Sequence, residues 1–235
     1  MAGDPRDAAA TDSRAGRTAR GGPADRTLDG RVIGNAASIR ATDRALAKVG
    51  DASAVVLVEG ISDQIALETA AAGRGRDLDA ERVVVLPIGG AHAIGRFLAM
   101  VGSLGAGTRL AGLCDVREEE IFRRALAANG IGAPRTRADM AGLGFFVCVD
   151  DLEDELIRAV GITGVEALFA ARGDLRWFRS FQSQPAWRGR DPAAQTHRFL
   201  RSSARRNLRY ARLLVEAAVD RGTLPRPLDA LLAAV

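Results

Sequence analysis

The chain has 235 residues, 47% of them hydrophobic and 26% charged, with 33 Lys and Arg against 29 Asp and Glu. That length suits one well-buried domain with an extension, not two large domains. No apolar run approaches the ~20 residues needed to span a bilayer. The start, MAGDPRDAAATDSRAGRTARGGPADR, has no apolar core, so a secretory leader is not expected and the cytoplasm is.

Cys114 and Cys148 both sit inside apolar runs and read as buried thiols in a reducing compartment. With only His92 and His197 besides, no Cys/His zinc cluster can be assembled. Lys48 is the only lysine, and no Gly-Lys-Ser/Thr surrounds it, which excludes a P-loop ATPase. Charge is unevenly spread. Residues 51–171 hold 18 Asp and Glu against 11 Arg, whereas residues 172–212 hold 11 Arg against 2 Asp. An acidic body joined to a basic segment fits a protein that collects metal in one place and phosphates in another. The competing explanation is an arginine face that is solvated or paired with the acidic body.

In chain order, residues 1–30 are rich in Ala, Gly, Arg and Asp and are expected to form a disordered tail. Residues 31–50 are expected to form a lead-in helix, with Ile39, Leu46 and Val49 at helical spacing. From 51 the pattern becomes regular. AVVLVEG (54–60) is a short β-branched run ended by glycine, as a strand buried on both faces reads. Ser62 is placed to cap the helix DQIALETAAA. RVVVLPIGG (82–90), TRLAGLCD (108–115) and GFFVCVD (144–150) repeat the strand pattern, each followed by a helical stretch. Four β-α units in series predict an α/β fold, a four-stranded parallel sheet flanked by helices, over 51–161. After Gly161 the strand signal vanishes. Residues 164–172 and 193–220 read as helices joined by a connection rich in Pro, Gly and Trp, so 162–235 is expected to be a basic helical C-terminal extension.

Parallel sheets place function at the carboxyl ends of their strands. Glu59 closes the first strand and Asp63 lies four residues on. Gly60 follows Glu59, and Gly89 and Gly90 close the second strand, where a missing side chain admits a ligand or backbone. Asp115 closes the third, with Glu118, Glu119 and Glu120 beyond; Asp150 and Asp151 close the fourth, with Glu153, Asp154 and Glu155 on the next helix. Carboxylates gathered this way need a divalent cation, an arginine or a raised pKa between them. For Glu120, Asp151 and Asp154, a role as helix caps or dipole partners is preferred.

LVEGISD (57–63), the Gly89-Gly90 pair, LCDVREE (113–119) and VCVDDLEDEL (147–156) resemble, in order, the motifs of the Toprim domain, most of all that of the OLD-family nucleases. The resemblance covers about residues 50–160. It implies Mg²⁺-dependent phosphodiester cleavage of nucleic acid, DNA foremost, with Mn²⁺ able to substitute for Mg²⁺. Under it Glu59 and Asp115 are catalytic and metal-binding, and Asp63, Glu118 and Glu153 are further metal ligands. Two departures stand out. The third motif reads Asp115-Val116-Arg117 where the family has Asp-x-Asp, so Arg117 is expected to pair with Asp63 or Glu153 and weaken a second metal site. The ATPase domain of the OLD nucleases is also missing, which leaves open a stand-alone protein, a separate ATPase chain as partner, and a homo-oligomer. Two alternative functions are a primase-like nucleotidyl transferase and a degenerate Toprim that binds nucleic acid or an ATPase without cutting. No membrane partner is expected.

The segment 199–217 is read as one helix with an apolar stripe (Leu200, Ala204, Leu208, Ala211, Val215) beside a basic one (Arg201, Arg205, Arg209, Arg212) that meets nucleic acid. The family's basic residue after the Toprim core is usually lysine; Arg205 or Arg206 is its nearest counterpart here and the expected catalytic arginine. WFRSFQSQPAWRGR (177–190) mixes aromatics with arginine. It suits base stacking, although core packing is the preferred explanation for its aromatics.

Overall fold

A computed structural model describes residues 36–103 and 107–235; the tail expected over 1–30 lies outside them. Helix α1 (36–46) and a 3₁₀ turn, Val49–Asp51, lead into the sheet. Then follow β1 (Ala54–Val58), α2 (Ile61–Gly73), β2 (Val83–Pro87), α3 (Ile94–Gly102), β3 (Arg109–Asp115), α4 (Glu119–Ala128), α5 (Arg137–Gly142), β4 (Phe145–Cys148) and α6 (Leu152–Val160). The C-terminal region adds α7 (Ile162–Ala171), α8 (Leu175–Gln182), α9 (Pro192–Arg201), α10 (Ala204–Asp220) and α11 (Arg226–Ala233).

The strands pair in parallel in the order β2-β1-β3-β4. Every residue of β1 is buried, because helices cover both sides of the sheet. Alternation along the strand divides the core in two. Ala54, Val56 and Val58 face a layer built by α2 and α6 to α11, with Leu67, Leu156, Phe169, Phe199, Val215 and Leu231. Val55 and Leu57 face the opposite layer, where Ala45, Phe97, Phe122, Met140 and Phe145 come from α1, α3, α4, α5 and β4. Gly112 is required where β3 meets the ring of Phe145: a Cβ there would stand 2.7 Å from two ring carbons. Among the described residues no helix is long and apolar enough to cross a membrane.

Several local expectations are corrected. In the lead-in helix the inward residues are Ala41 and Ala45, and Ile39 is 60% exposed. Ile39 lies two positions from Ala41, on the far side of a 3.6-residue turn. The cap of α2 is Gly60, not Ser62, and the Asp63 carboxylate accepts from the Gly60 N–H at 2.8 Å. Helix α5 starts from a capping box in which Thr136 and Asp139 exchange hydrogen bonds, the Thr-x-x-Asp spacing of a helix start. The single helix expected over 193–220 is two, because Ser203 caps α10 and breaks it from α9. The apolar stripe breaks with it: Ala204 is exposed and Leu208 half-buried, while Tyr210, Ala211, Leu214 and Val215 go inside. The expected connection contains α8, which buries Phe178.

Candidate functional site

The chain reverses direction across the sheet between β1 and β3. From β1 it passes outward to β2, then returns over β1 to β3. The loops leaving the carboxyl ends of β1 and β3 therefore part to opposite faces and open a crevice, the place where open parallel sheets bind ligands. Glu59 directly follows β1 and Asp115 is the last residue of β3. After Asp115 the chain turns back on itself, with the Glu118 N–H donating to the Asp115 carbonyl at 3.0 Å. That turn brings Glu118 inward. One carboxylate oxygen from each of Glu59, Asp115 and Glu118 lies within 4.8 Å of the others.

The same turn points Arg117 outward. Its side chain is exposed and forms no ion pair among the described residues, so the expected pairing with Asp63 or Glu153 is corrected. Position 117 stands at the outer side of the turn, and position 118 occupies the place the sequence pattern had given to it.

Further acids enclose the three. Asp63 sits in the first turn of α2. Glu153, in the first turn of α6, accepts from the Asn207 amide at 2.9 Å. Burial pushes the Asp63 carboxyl up to about 8, reinforced by Glu153, Glu59 and Asp151 and opposed by the Gly60 N–H. Burial likewise pushes Asp115 up to about 8, with Asp63, Glu59, Asp151 and Glu118 adding to it. Glu59 is raised by burial and by Glu118, while the Arg201 guanidinium pulls it down. The loop after β2 closes against this group. The N–H groups of Gly89 and Gly90 donate to the Glu59 carbonyl at 3.1 and 3.2 Å, from backbone at φ +75° and +116° that suits glycine.

A cationic edge faces the acids from α9. Asp151 caps α6 by accepting from the Asp154 N–H at 2.9 Å, as its expected role requires, but it also receives His197 at 2.7 Å and Arg201 at 2.9 Å. Burial acts against the Asp151 anion. The hydrogen bonds from His197 and the Asp154 N–H outweigh it, with help from the charges of His197 and Arg201, and hold Asp151 below the usual carboxylate range. Asp151 in turn raises His197. Neither His197 nor Asn207 was anticipated. The only sequence trace of His197 is its i, i+4 spacing from Arg201, which puts both on one face of α9.

The other arginines are placed differently from one another. Arg205 is exposed and its side chain has no partner among the described residues. Arg206 turns back to the end of α9: its guanidinium donates to the Phe199 carbonyl at 2.9 Å and the Ser202 hydroxyl at 2.7 Å, and lies 3.9 Å from the Phe199 ring centroid. Arg206 is thus a pin between helices, turned to the end of α9. Arg209 lies 3.5 Å from Asp174, and Arg212 pairs with Glu216 at 2.6 Å. Glu120 pairs with Arg123 and Arg124, and Asp154 with Arg158.

The donor set fits a hard divalent cation. It is all oxygen, it is anionic, and Glu118 Oε2 is buried with no hydrogen-bond partner. Both thiols are too buried to join it and are pushed well up by that burial.

Residues 52–115 match the Toprim domain of overcoming lysogenization defect protein-like proteins. No curated protein matches the sequence. Among solved structures, the C-terminal region of the Burkholderia pseudomallei OLD protein aligns with TM-score 0.56 at 14% identity, over 78% of this chain and 96% of that one. The C-terminal region of the Xanthomonas campestris pv. campestris OLD protein gives TM-score 0.51 at 20% identity, over 77% of this chain and 97% of that one. The shared fold extends past the sheet into the C-terminal helices, since the alignments span more than three quarters of the chain.

Proposed function

We propose that this chain, whose residues 52–115 match an OLD-like Toprim domain, is a Mg²⁺-dependent endonuclease acting on nucleic acid, DNA foremost. The observation that carries this reading is the approach of Glu59, Asp115 and Glu118 to within 4.8 Å at the switch point of a parallel sheet. Those three hold the ion, and Asp63 and Glu153 complete the acidic wall around it. When bound, the ion supplies charge stabilisation at the scissile phosphate and lowers the pKa of water. Arg201, whose charge already reaches Glu59, is placed to hold a phosphate at the rim. Asp151 keeps Arg201 and His197 at that edge. Because Arg117 is exposed, its charge stands outside the three carboxylates that hold the ion.

The test is conversion of supercoiled plasmid to nicked circle in Mg²⁺ or Mn²⁺. Nicking by the wild type, abolished by EDTA and by Glu59→Gln or Asp115→Asn, is the expected result. A mobility shift without nicking in either ion would return the chain to the binding class. Incorporation of labelled nucleotide would make it a transferase.

A further inference from the structure

The segment that mixes aromatics with arginine is divided by the fold. Phe178 is buried with ring centroids 5.0 Å from Phe169 and 5.1 Å from Phe199. Phe181 packs 5.0 Å from Trp187 and 5.7 Å from Phe199. Core packing accounts for these three. Trp177 is left out of the core: it is 55% exposed, and the Arg176 guanidinium lies 4.7 Å from its ring centroid.

The charge around it is unbalanced. Of the two acids in 172–212, Asp174 is taken by the Tyr210 hydroxyl at 2.9 Å and by Arg209, and Asp191 caps α9 by accepting from Ala194 N–H at 2.8 Å. Arg179 is spent on Glu166. Arg176, Arg190 and Arg198 are exposed, and their side chains have no hydrogen bond or ion pair among the described residues.

We propose that the outer surface of α8 and α9, with Trp177 and Arg176 at its centre, binds single-stranded nucleic acid and leads the strand toward the carboxylates. The direction of the strand rests on the nuclease reading; the binding does not. Helix α8 is fixed to α9 through Phe178 and Phe199. Helix α9, ten residues and so about 15 Å long, ends at Arg201 on Asp151, at the rim of the acidic crevice. Phosphates follow the arginines, and an exposed indole stacks on an unpaired base, whose face a duplex does not offer. The guanidinium over the indole restricts its motion. One isolated indole in a basic field is a poor protein-docking patch, which needs contiguous apolar area.

The chain has two tryptophans, so Trp187→Phe leaves Trp177 as the only strong emitter. In EDTA, where no cleavage occurs, titration with a 20-mer of thymidylate or of uridylate should quench that emission saturably. A blunt duplex of equal charge should quench at least about tenfold less effectively. Trp177→Ala should weaken binding of the single strand about tenfold, the loss of one stacked base. Arg176→Ala and Arg198→Ala should each flatten the salt slope by about 0.7. Comparing the two oligomers tells DNA from RNA as the preferred strand. If Trp187→Phe fails to fold, the same quench is sought in wild type and should vanish in Trp177→Phe. Unchanged Trp177 emission while anisotropy reports bound oligomer overturns the proposal, as does undiminished affinity in Trp177→Ala or no binding of either oligomer at low salt. Plasmid nicking is scored separately, so it can fail while this surface stands, or stand while the surface fails.

Discussion

His197 Nε2 lies 2.7 Å from Asp151 Oδ2, a contact that joins α9 to the carboxyl end of β4 across 46 residues of sequence. The carboxyl is held below its ordinary value of 3.8 and the imidazole above its ordinary 6.5. A depressed carboxyl stabilises the fold above its unfolded value and loses that effect as pH falls through its folded one. A raised imidazole stabilises below its unfolded value and loses the effect as pH rises through its folded one. Both contributions are complete between 3.8 and 6.5.

His197→Ala should therefore cost about 2 kcal/mol at pH 5.5 and clearly less at pH 8.5. Urea denaturation of both proteins at the two pH values checks this. An equal cost at both would mean that His197 acts by packing alone.

Asp63 and Asp115 titrate in the opposite sense. With both pushed up from 3.8 to about 8, the folded chain binds more protons than the unfolded one across that window, and stability in EDTA falls as pH rises through it. Asp115→Asn removes one of the repelling charges and should raise Tm in EDTA at pH 8, by about 2–4 °C for each kcal/mol recovered. Divalent-cation affinity should climb from pH 6 to 9, because binding displaces those protons. Calorimetry in buffers of different protonation heat measures the release. A lower Tm for Asp115→Asn in EDTA, or binding heats independent of buffer, would contradict the repulsion.

The strands and the strand-end acids were legible because each strand is a short run of apolar residues ending at an acid or glycine: β1 stops before Glu59 and β3 ends on Asp115. What followed Asp115 was legible only in part, since Glu118 was expected among the ligands but Arg117 was expected to pair with Asp63 or Glu153. Which of residues 116–118 faces the crevice is decided by a backbone turn closed by the Glu118 N–H, and residue types alone do not specify it. The break between α9 and α10 was hidden for a related reason. Hydrophobic periodicity runs through it, and only Ser203, accepting from the Arg206 N–H, marks the new start. His197 and Asn207 reach the acids solely through tertiary packing of α9 and α10 onto α6, which no local pattern encodes. Ile39 misled because the buried stripe of α1 is carried by alanines.

The turn after Asp115 makes a direct prediction. Arg117→Asp should leave cation affinity and stoichiometry unchanged within about twofold, since the side chain stands outside the cluster and an exposed charge acts weakly. Glu118→Gln should lose at least about tenfold in affinity, no less than is lost when only a ligand's supporting partner is removed. Titration of the two variants beside wild type decides it. A gain of a second strong site in Arg117→Asp would show that position 117 turns inward once an ion is bound.

Arg205 and Arg206 are adjacent in sequence and opposite in role. The Phe199 carbonyl near the end of α9 already accepts from the Ser202 hydroxyl at 2.7 Å, and Arg206 adds a second side-chain donor to it while its guanidinium covers the Phe199 ring. Arg206→Ala removes that hydrogen bond and the stacked contact together, at a cost of about 1–2 kcal/mol. Lysine cannot restore both, because it lacks the flat fork that bonds and stacks at once. Arg205 is exposed and its side chain has no partner among the described residues, so Arg205→Ala should leave stability unchanged within about 0.5 kcal/mol. Binding should invert the order. Removing a phosphate contact at position 205 should flatten the salt dependence of nucleic-acid affinity by about 0.7–0.9, whereas Arg206→Ala should leave the slope as it was. Denaturation curves and salt titrations of the two single variants measure both quantities. A flattened slope in Arg206→Ala with full stability would show that Arg206 leaves Phe199 for the substrate and serves the chemistry after all.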